Sequence, residues 1–170
     1  MKYPNNSFNY WFTETEYSTI LDNLVIVCVD TLVADSRGNI LLGNREKYPL
    51  KDWWIFGGRM EAKENFVEAS SRGIFRELGI KTITPPRFIN YYDLVWNKRE
   101  EPPINNGCHV VLAAMFYEID DSQKGILDKE IRDHHEIRWF SPKELENEDL
   151  DFNLKNIIAD FNVIYHPALI

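Results

Sequence analysis

The sequence predicts an α+β fold in which helices pack on the faces of one mixed β-sheet. Strand-like runs rich in Val and Ile precede a single amphipathic helix, more strand-like runs follow it, and helix signals close the chain. The length of 170 residues suits one domain with its own core. An apolar fraction of 44% and an aromatic fraction of 14% indicate a packed globular protein rather than a disordered one.

The first part of the chain divides into a leading segment and a hairpin. We expect an arm with a short helix over residues 1–23 and one domain over residues 24–170. Thr13 followed by Glu16 is a capping box, which predicts a helix from about Glu14 to Asp22. A strand over 24–33, a turn at 36–39 and a strand over 40–44 form the hairpin. Asp30 interrupts the first strand, and a carboxylate there is costly unless it is paired or on a polar face.

The chain is organised around residues 57–80, with the sequence GGRMEAKENFVEASSRGIFRELGI. A short aromatic strand over 53–56 leads into a glycine pair, a charged loop and a helix that ends at Gly79. The predicted buried stripe consists of Val67, Ser70, Ile74 and Leu78, with Phe66 and Ala69 beside it. The charged residues off the stripe are Glu64, Glu68, Arg72, Arg76 and Glu77. Because Arg59 directly follows the glycines, this unit suits a metal-bound phosphate.

The remaining chain alternates between strands and polar loops. Strands are predicted over 87–95, 109–119 and 136–140, with a polar loop at 97–107 and a charged stretch at 120–132. Ser141 begins a helix as its N-cap. A last helix over 151–165 is predicted to bury Phe152, Ile157, Ile158 and Phe161.

Charge and cysteine content limit the function classes. The net charge of −8 argues against a general nucleic-acid binder, although a few local arginines can hold a small phosphorylated ligand. We interpret Cys28 and Cys108 as buried free thiols in a reducing compartment. No apolar run is long enough to span a bilayer, and the N-terminus lacks a signal-peptide pattern. These features predict a cytoplasmic protein without a membrane or nucleic-acid partner.

The central stretch resembles the Nudix hydrolase signature, G-x5-E-x7-R-E-U-x-E-E-x-G-U, in which U is a bulky aliphatic residue. The matching residues are Gly58, Glu64, Arg72, Ile74, Glu77, Gly79 and Ile80. Gly73 and Arg76 stand where the family has metal-binding glutamates, so Glu77 alone remains on that helix face. The resemblance implies an α/β/α sandwich with a loop-helix catalytic motif.

A subgroup of this family, the GDP-mannose mannosyl hydrolases, loses the same two glutamates. The resemblance to it extends over about residues 24–145, through the hairpin IVCVDTLVADSRGNILLGNR, the glycine pair, the strand HVVL and the stretch DHHEIRW. It implies hydrolysis of GDP-mannose or GDP-glucose by water attack at the anomeric carbon, with inversion, assisted by Mg²⁺ or Mn²⁺. It also implies a small-molecule nucleotide sugar as partner and a homodimer, for which the N-terminal segment is available.

The same resemblance assigns roles to individual residues. Glu77, the carbonyl of Gly57 and Asp133 would hold the metal, although the subgroup has a neutral amide at the position of Asp133. His134 would be the general base, with His135 as the alternative. The residues implied to bind the departing diphosphate or the sugar are Arg45, Arg59, Asp30 and His109, the last replacing a tyrosine.

Other interpretations of these residues stay open at this stage. A conventional diphosphatase would attack at phosphorus and use Glu64, Glu77 and Asp133 as metal ligands. A catalytically silent domain would bind a nucleotide sugar or a protein partner without turnover. Arg45 could also be a surface ion pair, and Trp53 and Trp54 fit a core role better than a base-stacking role.

Overall fold

The computed structural model describes residues 12–125, 127 and 136–165, and it confirms the α+β prediction. Seven strands form one mixed sheet: β1 (Ile26–Ala34), β2 (Ile40–Asn44), β3 (Trp53–Trp54), β4 (Phe56–Arg59), β5 (Arg87–Trp96), β6 (Cys108–Glu118) and β7 (Glu136–Phe140). The helices are α1 (Glu14–Asn23), α2 (Phe66–Leu78), α3 (Asp121–Lys124), α4 (Pro142–Asn147) and α5 (Phe152–Tyr165), with a 3₁₀ turn over Ile104–Asn106.

The centre of the sheet is β1, whose two edges have different neighbours. The main strand order is β3-β2-β1-β6-β5, with β4 joined to β1 and β7 joined to β2. Strands β1 and β6 run parallel, and the other pairs are antiparallel. One edge of β1 is shared, because its last residues pair with β2 while Cys28 to Thr31 pair with β4. Along this edge the partner changes from β4 to β2 between Thr31 and Val33, and Asp30 lies opposite Gly57 within the β4 pairing.

Helices cover both faces of the sheet and produce the layered arrangement. The largest core cluster packs Leu154, Ile157 and Phe161 of α5 against strand residues such as Leu32 and Leu112. On the other face, Ile74 and Leu78 of α2 pack with Val33 and Phe56. Among the described residues, no helix is both long enough and apolar enough to cross a membrane.

Local sequence signals predicted the first and last residues of most helices and strands to within one or two positions. The predicted capping boxes are present at Thr13 with Glu16 and at Ser141 with Glu144. Helix α2 ends as predicted, with Gly79 in the left-handed conformation at a φ of 71°. The predicted polar loop at 97–107 contains the 3₁₀ turn, and the glycine pair belongs to β4 because both glycines pair with β1.

Two predicted apolar faces need correction. Val67 is 39% exposed and Phe152 is 72% exposed, whereas both were placed on buried stripes. In α2 the buried side also includes Gly73 and Glu77, which was placed off the stripe. The reason is that α2 packs against the backbone of β4 as well as the sheet core, so its buried side turns toward Glu77. In α5, Leu154 occupies the buried position that was assigned to Phe152.

Candidate active site

A cavity of about 440 Å³ opens beside β1. Five residues predicted for the site line it together: Asp30, Arg45, Gly57, Arg59 and Glu77. They come from β1, from the residue after β2, from β4 and from the last turn of α2. The fold thus brings into one cavity groups that lie as far as 47 positions apart in the chain.

Strand alternation explains why Asp30 faces the cavity. Side chains on a strand alternate between faces, and Ile26, Cys28 and Asp30 of β1 all line the cavity. Asp30 is 7% exposed, and its Oδ2 accepts a hydrogen bond of 2.9 Å from the Trp54 indole nitrogen. Its Oδ1 is buried and has no hydrogen-bond partner among the described residues.

Burial controls the ionisation of Asp30. Loss of solvation raises the pKa of its carboxyl group to about 6, against the opposing effects of the Trp54 hydrogen bond and the positive charge of Arg45. Glu77 adds to the increase by charge repulsion. Asp30 is therefore largely ionised at neutral pH, with one carboxylate oxygen that has no described hydrogen-bond partner.

Arg59 is held at the cavity wall by helix α1. Its guanidinium carbon lies 3.8 Å from the centre of the Tyr17 ring, and its Nη2 lies 3.5 Å from Glu101 Oε1. Burial lowers the pKa of Arg59 to about 10, and Glu101 opposes that shift. The side chain therefore keeps its charge at neutral pH. Arg45 lines the same cavity, and its backbone nitrogen is fixed by the carbonyl of Asp52 at 3.0 Å.

Arg99 anchors the loop that carries Glu101. It is 1% exposed and makes an ion pair of 2.7 Å with Asp22 of α1. It also donates to the carbonyl groups of Glu101 at 3.0 Å and Gly107 at 2.9 Å. These bonds join the loop to α1, and they position Glu101 beside Arg59.

Arg76 lies between the two predicted metal ligands that the structure describes. Its Nη2 donates to the carbonyl oxygen of Gly57 at 2.5 Å and to Glu77 Oε1 at 2.6 Å. Glu77 Oε1 also accepts from the backbone nitrogen of Gly57 at 3.1 Å. Gly73 permits this close approach, because a Cβ there would lie 3.0 Å from the Gly57 Cα.

These contacts test whether the described residues fit Mg²⁺, and as they stand they do not. Mg²⁺ needs about six oxygen ligands at about 2.0–2.1 Å in a near-octahedral arrangement. Here a guanidinium nitrogen bridges the Gly57 carbonyl and the Glu77 carboxylate. No group of three or more His, Cys, Asp or Glu side chains suited to a metal occurs in the described ranges.

Glu64 has a structural role in this arrangement. Its two carboxylate oxygens accept from Arg72 Nε at 2.5 Å and Nη2 at 2.8 Å, and the second also accepts from the backbone nitrogen of Glu61. Arg72 in turn donates to the carbonyl of Arg59 at 3.0 Å. The pair therefore fastens the loop before α2 to the helix, which does not favour Glu64 as a metal ligand.

One predicted site residue lies away from this cluster, and two lie outside the described residues. His109 does not line the cavity, because Cys108, Val110 and Leu112 of β6 do so and His109 points to the other face. Its Nε2 contacts Asp93 of β5, and the side chain is 42% exposed. Asp133 and His134 lie outside the described residues, as does the alternative base His135.

Comparison with known proteins establishes the family. The NUDIX domain model matches residues 25–161, which is most of the chain. The chain belongs to the Nudix family. It is thereby placed among hydrolases that act on small-molecule nucleotide derivatives and that generally use a divalent metal such as Mg²⁺.

Solved Nudix structures share the fold at low sequence identity. The MutT protein from Methanosarcina mazei Go1 has a TM-score of 0.63 and 18% identity, covering 82% of this chain and 94% of that one. The NUDIX domain of Shewanella oneidensis NrtR, solved with ADP ribose, has a TM-score of 0.61 and 14% identity, covering 89% of this chain and 98% of that one. These likenesses concern the fold alone.

A curated protein is more similar in sequence over a shorter range. The low-salt glycan biosynthesis protein Agl8 from Haloferax volcanii is 33% identical over 84 residues. The match covers 47% of this chain and 53% of that protein. The chain therefore matches about half the length of this relative.

Sequence reasoning did not predict the contacts of four residues that line the cavity or support its wall, namely Trp54, Tyr17, Glu101 and Arg76. Trp54 was assigned to the core, and it is indeed buried. Its indole nitrogen also donates a hydrogen bond to Asp30, which the sequence did not predict. Tyr17 and Glu101 gave no signal, because only the folded chain brings them to Arg59. Arg76 was recognised as a departure from the signature, but its bridging position depends on the packing of α2 against β4.

Proposed function

We propose that this Nudix hydrolase cleaves nucleoside diphosphate sugars, with GDP-mannose or GDP-glucose as first candidates. Water would attack the anomeric carbon and release a nucleoside diphosphate and the free sugar. One observation carries the proposal: the buried carboxylate of Asp30 faces the same cavity as Arg45 and Arg59. The catalytic unit would be the single domain over residues 24–170, preceded by the arm and helix over 1–23.

The Asp30 carboxylate suits a reaction at a sugar carbon. Attack there passes through a transition state in which positive charge develops on the sugar ring. An ionised carboxylate in a poorly solvated wall stabilises such a charge more strongly than one in water. Its Oδ1 is buried and has no described hydrogen-bond partner, so little in the protein offsets the negative charge on that side of the carboxylate.

The two arginines suit the leaving group. When the bond between the anomeric carbon and the diphosphate oxygen breaks, its electron pair stays on the diphosphate. Guanidinium groups bind phosphate oxygens with paired, directional N–H donors. Arg45 and the Tyr17-stacked Arg59 would hold and neutralise this departing group.

The attacking water must lose a proton as the new carbon–oxygen bond forms. We assign this role to His134, with His135 as the alternative, because an imidazole titrates near neutral pH. The described residues do not offer a donor set that fits Mg²⁺, because Arg76 bridges the Gly57 carbonyl and the Glu77 carboxylate. The glycan-biosynthesis name of the Haloferax volcanii relative supports a sugar-linked substrate.

The position of cleavage is tested by isotope transfer. The protein is incubated with GDP-mannose in ¹⁸O-labelled water, and the products are analysed by mass spectrometry. We expect the label in free mannose and unlabelled GDP. Label in a phosphate group would overturn the proposal in favour of attack at phosphorus, and absence of turnover across nucleotide sugars would favour a binding domain.

We also propose a homodimer, because the resembled mannosyl hydrolases are dimers. Size-exclusion chromatography with light scattering tests it directly. A mass near twice the chain mass of 20.1 kDa is expected, and a mass near 20.1 kDa would contradict it.

A further inference from the structure

The family signature does not predict the contacts that Arg76 makes in this cavity. The signature has a glutamate at this position, and the chain has a cation. One nitrogen of that cation bonds both the carbonyl oxygen of Gly57 and the carboxylate of Glu77, at 2.5 and 2.6 Å. Two oxygens of this kind, converging on one point, are the usual surroundings of a bound cation.

The neighbouring backbone shows that the Arg76 guanidinium packs closely against the glycine pair Gly57 and Gly58. A Cβ on Gly58 would lie 3.2 Å from Arg76 Nη2, so the guanidinium lies over the bare backbone of the glycine pair. Gly73 has the matching role on the helix, since its missing side chain lets α2 approach Gly57. The departures at positions 73 and 76 therefore form one arrangement, in which small residues make room for an arginine.

The charge of the Arg76–Glu77 pair also differs from that of a metal site. Arg76 is a single positive charge that offsets the single negative charge of Glu77. The Arg76 side chain is 26% exposed and lines the cavity with Arg45 and Arg59, whereas the Glu77 side chain is 4% exposed. Arg45, Arg59 and Arg76 thus line one cavity together with the buried Arg99, and the Glu77 carboxylate there is less exposed than the Arg76 guanidinium that it contacts.

We propose that Arg76 takes the place of the divalent cation, so that this chain binds a nucleoside diphosphate through Arg45, Arg59 and Arg76 without a divalent metal. Glu77 then positions the guanidinium of Arg76. The nature of the ligand rests on the proposed function, whereas the place of Arg76 rests on its own contacts. A planar guanidinium offers several donors to phosphate oxygens and needs no dehydration of a bound metal.

Metal binding tests the proposal without any substrate. Binding of Mn²⁺ to wild type, Arg76→Ala and Arg76→Gln is measured by electron paramagnetic resonance, with Arg37→Ala as control for loss of a cation outside the cavity. Removing Arg76 is expected to tighten Mn²⁺ binding by about tenfold or more, because the Glu77 carboxylate loses its charge partner. Arg37→Ala, whose side chain is 74% exposed in wild type, should bind Mn²⁺ as wild type does.

Nucleotide binding supplies the second readout. The affinity for GDP is measured by calorimetry in EDTA and again in excess Mg²⁺. Wild type is expected to bind equally well in both, within about threefold, whereas Arg76→Ala in EDTA should be weaker by about tenfold and recover with Mg²⁺. In EDTA, the GDP affinity of Arg76→Lys should lie between those of wild type and Arg76→Ala, since an ammonium group keeps the charge without the planar donors.

The two readouts separate failure of this proposal from failure of the proposed function. Tight Mn²⁺ binding by wild type, unchanged in the Arg76 variants, would overturn the proposal, as would loss of wild-type GDP binding in EDTA. Absence of GDP binding under every condition would instead contradict the proposed ligand, and the Mn²⁺ comparison would still decide the place of Arg76. Arg76→Gln keeps most of the side-chain volume, so the comparison remains available if Arg76→Ala does not fold.

Discussion

Asp30 illustrates how a single residue combines a cost to stability with a use in function. It is 7% exposed, and burial raises its pKa to about 6. One of its oxygens is satisfied by Trp54, and the other has no described hydrogen-bond partner. A buried charge of this kind destabilises a fold, and proteins retain such groups mainly at functional sites.

We therefore expect Asp30→Asn to raise stability while it lowers activity. At pH 7.5 the variant should gain about 2 kcal/mol in the free energy of unfolding, because a neutral amide costs less to bury than a carboxylate. Turnover of a nucleotide sugar should fall by about 100-fold, since the variant loses the charge that we propose stabilises the sugar cation. Urea unfolding and steady-state kinetics measure the two effects.

The matched control is Asp93→Asn, which removes an acid whose side chain is 74% exposed on β5. Its unfolding free energy and turnover should stay close to those of wild type. A loss of stability in Asp30→Asn would show that the carboxylate has a structural role and would contradict this interpretation.

Asp35 shows the opposite behaviour of a buried acid. Burial tends to raise its pKa, but hydrogen bonds from the Lys124 ammonium and from Asn39 outweigh that effect and lower it to about 2. Its Oδ1 also accepts from the backbone nitrogens of Arg37 and Asn39, each at 2.9 Å, within the turn between β1 and β2. The ionised carboxylate therefore stabilises the hairpin.

This arrangement predicts a pH-dependent loss of stability in Asp35→Asn. A pKa below the ordinary value of 3.8 means that the contribution is present above that value and is lost as pH falls through about 2. The variant should be less stable than wild type by about 2 kcal/mol at pH 7, and the difference should shrink between about pH 4 and pH 2. Urea midpoints across this range measure it, and a difference independent of pH would contradict the assignment.

At the scale of elements, local chemistry made the boundaries predictable. Capping boxes at Thr13 and Ser141 and the left-handed glycine at Gly79 are read from a few adjacent residues. The buried faces of the helices were less predictable, because the side of a helix that is buried depends on the elements against which it packs. Phe152 and Glu77 show this, since the first is exposed and the second is buried.

The contact between β4 and β1 makes Gly57 the least replaceable residue of the loop-helix unit. Its φ is 153°, and a Cβ there would lie 2.2 Å from the carbonyl oxygen of Val29. Gly57→Ala should lower the free energy of unfolding by about 3 kcal/mol, because backbone strain and overpacking add. Gly125→Ala is the control, since the nearest atom to its added Cβ would be 3.6 Å away. Equal stability of the two variants in urea would contradict the described packing.

At the scale of the whole molecule, the sequence predicted the fold class, the family and five residues of the cavity wall. It could not predict that α1 would supply Tyr17, or that the loop at 97–107 would bring Glu101 to Arg59. These contacts join segments more than 40 positions apart, and no local pattern records them. The bridging place of Arg76 has the same origin, because it needs the close packing of α2 on β4.

Attack at the sugar carbon is the central claim, and the first anomer released tests it most directly. GDP-mannose carries mannose in the α configuration, and attack by water with inversion releases the β anomer. Proton nuclear magnetic resonance at early times, before the free sugar equilibrates, distinguishes the two anomers from each other and from a sugar phosphate. We predict β-mannose and GDP as the first products. Mannose phosphate, or α-mannose as the first free sugar, would contradict the account.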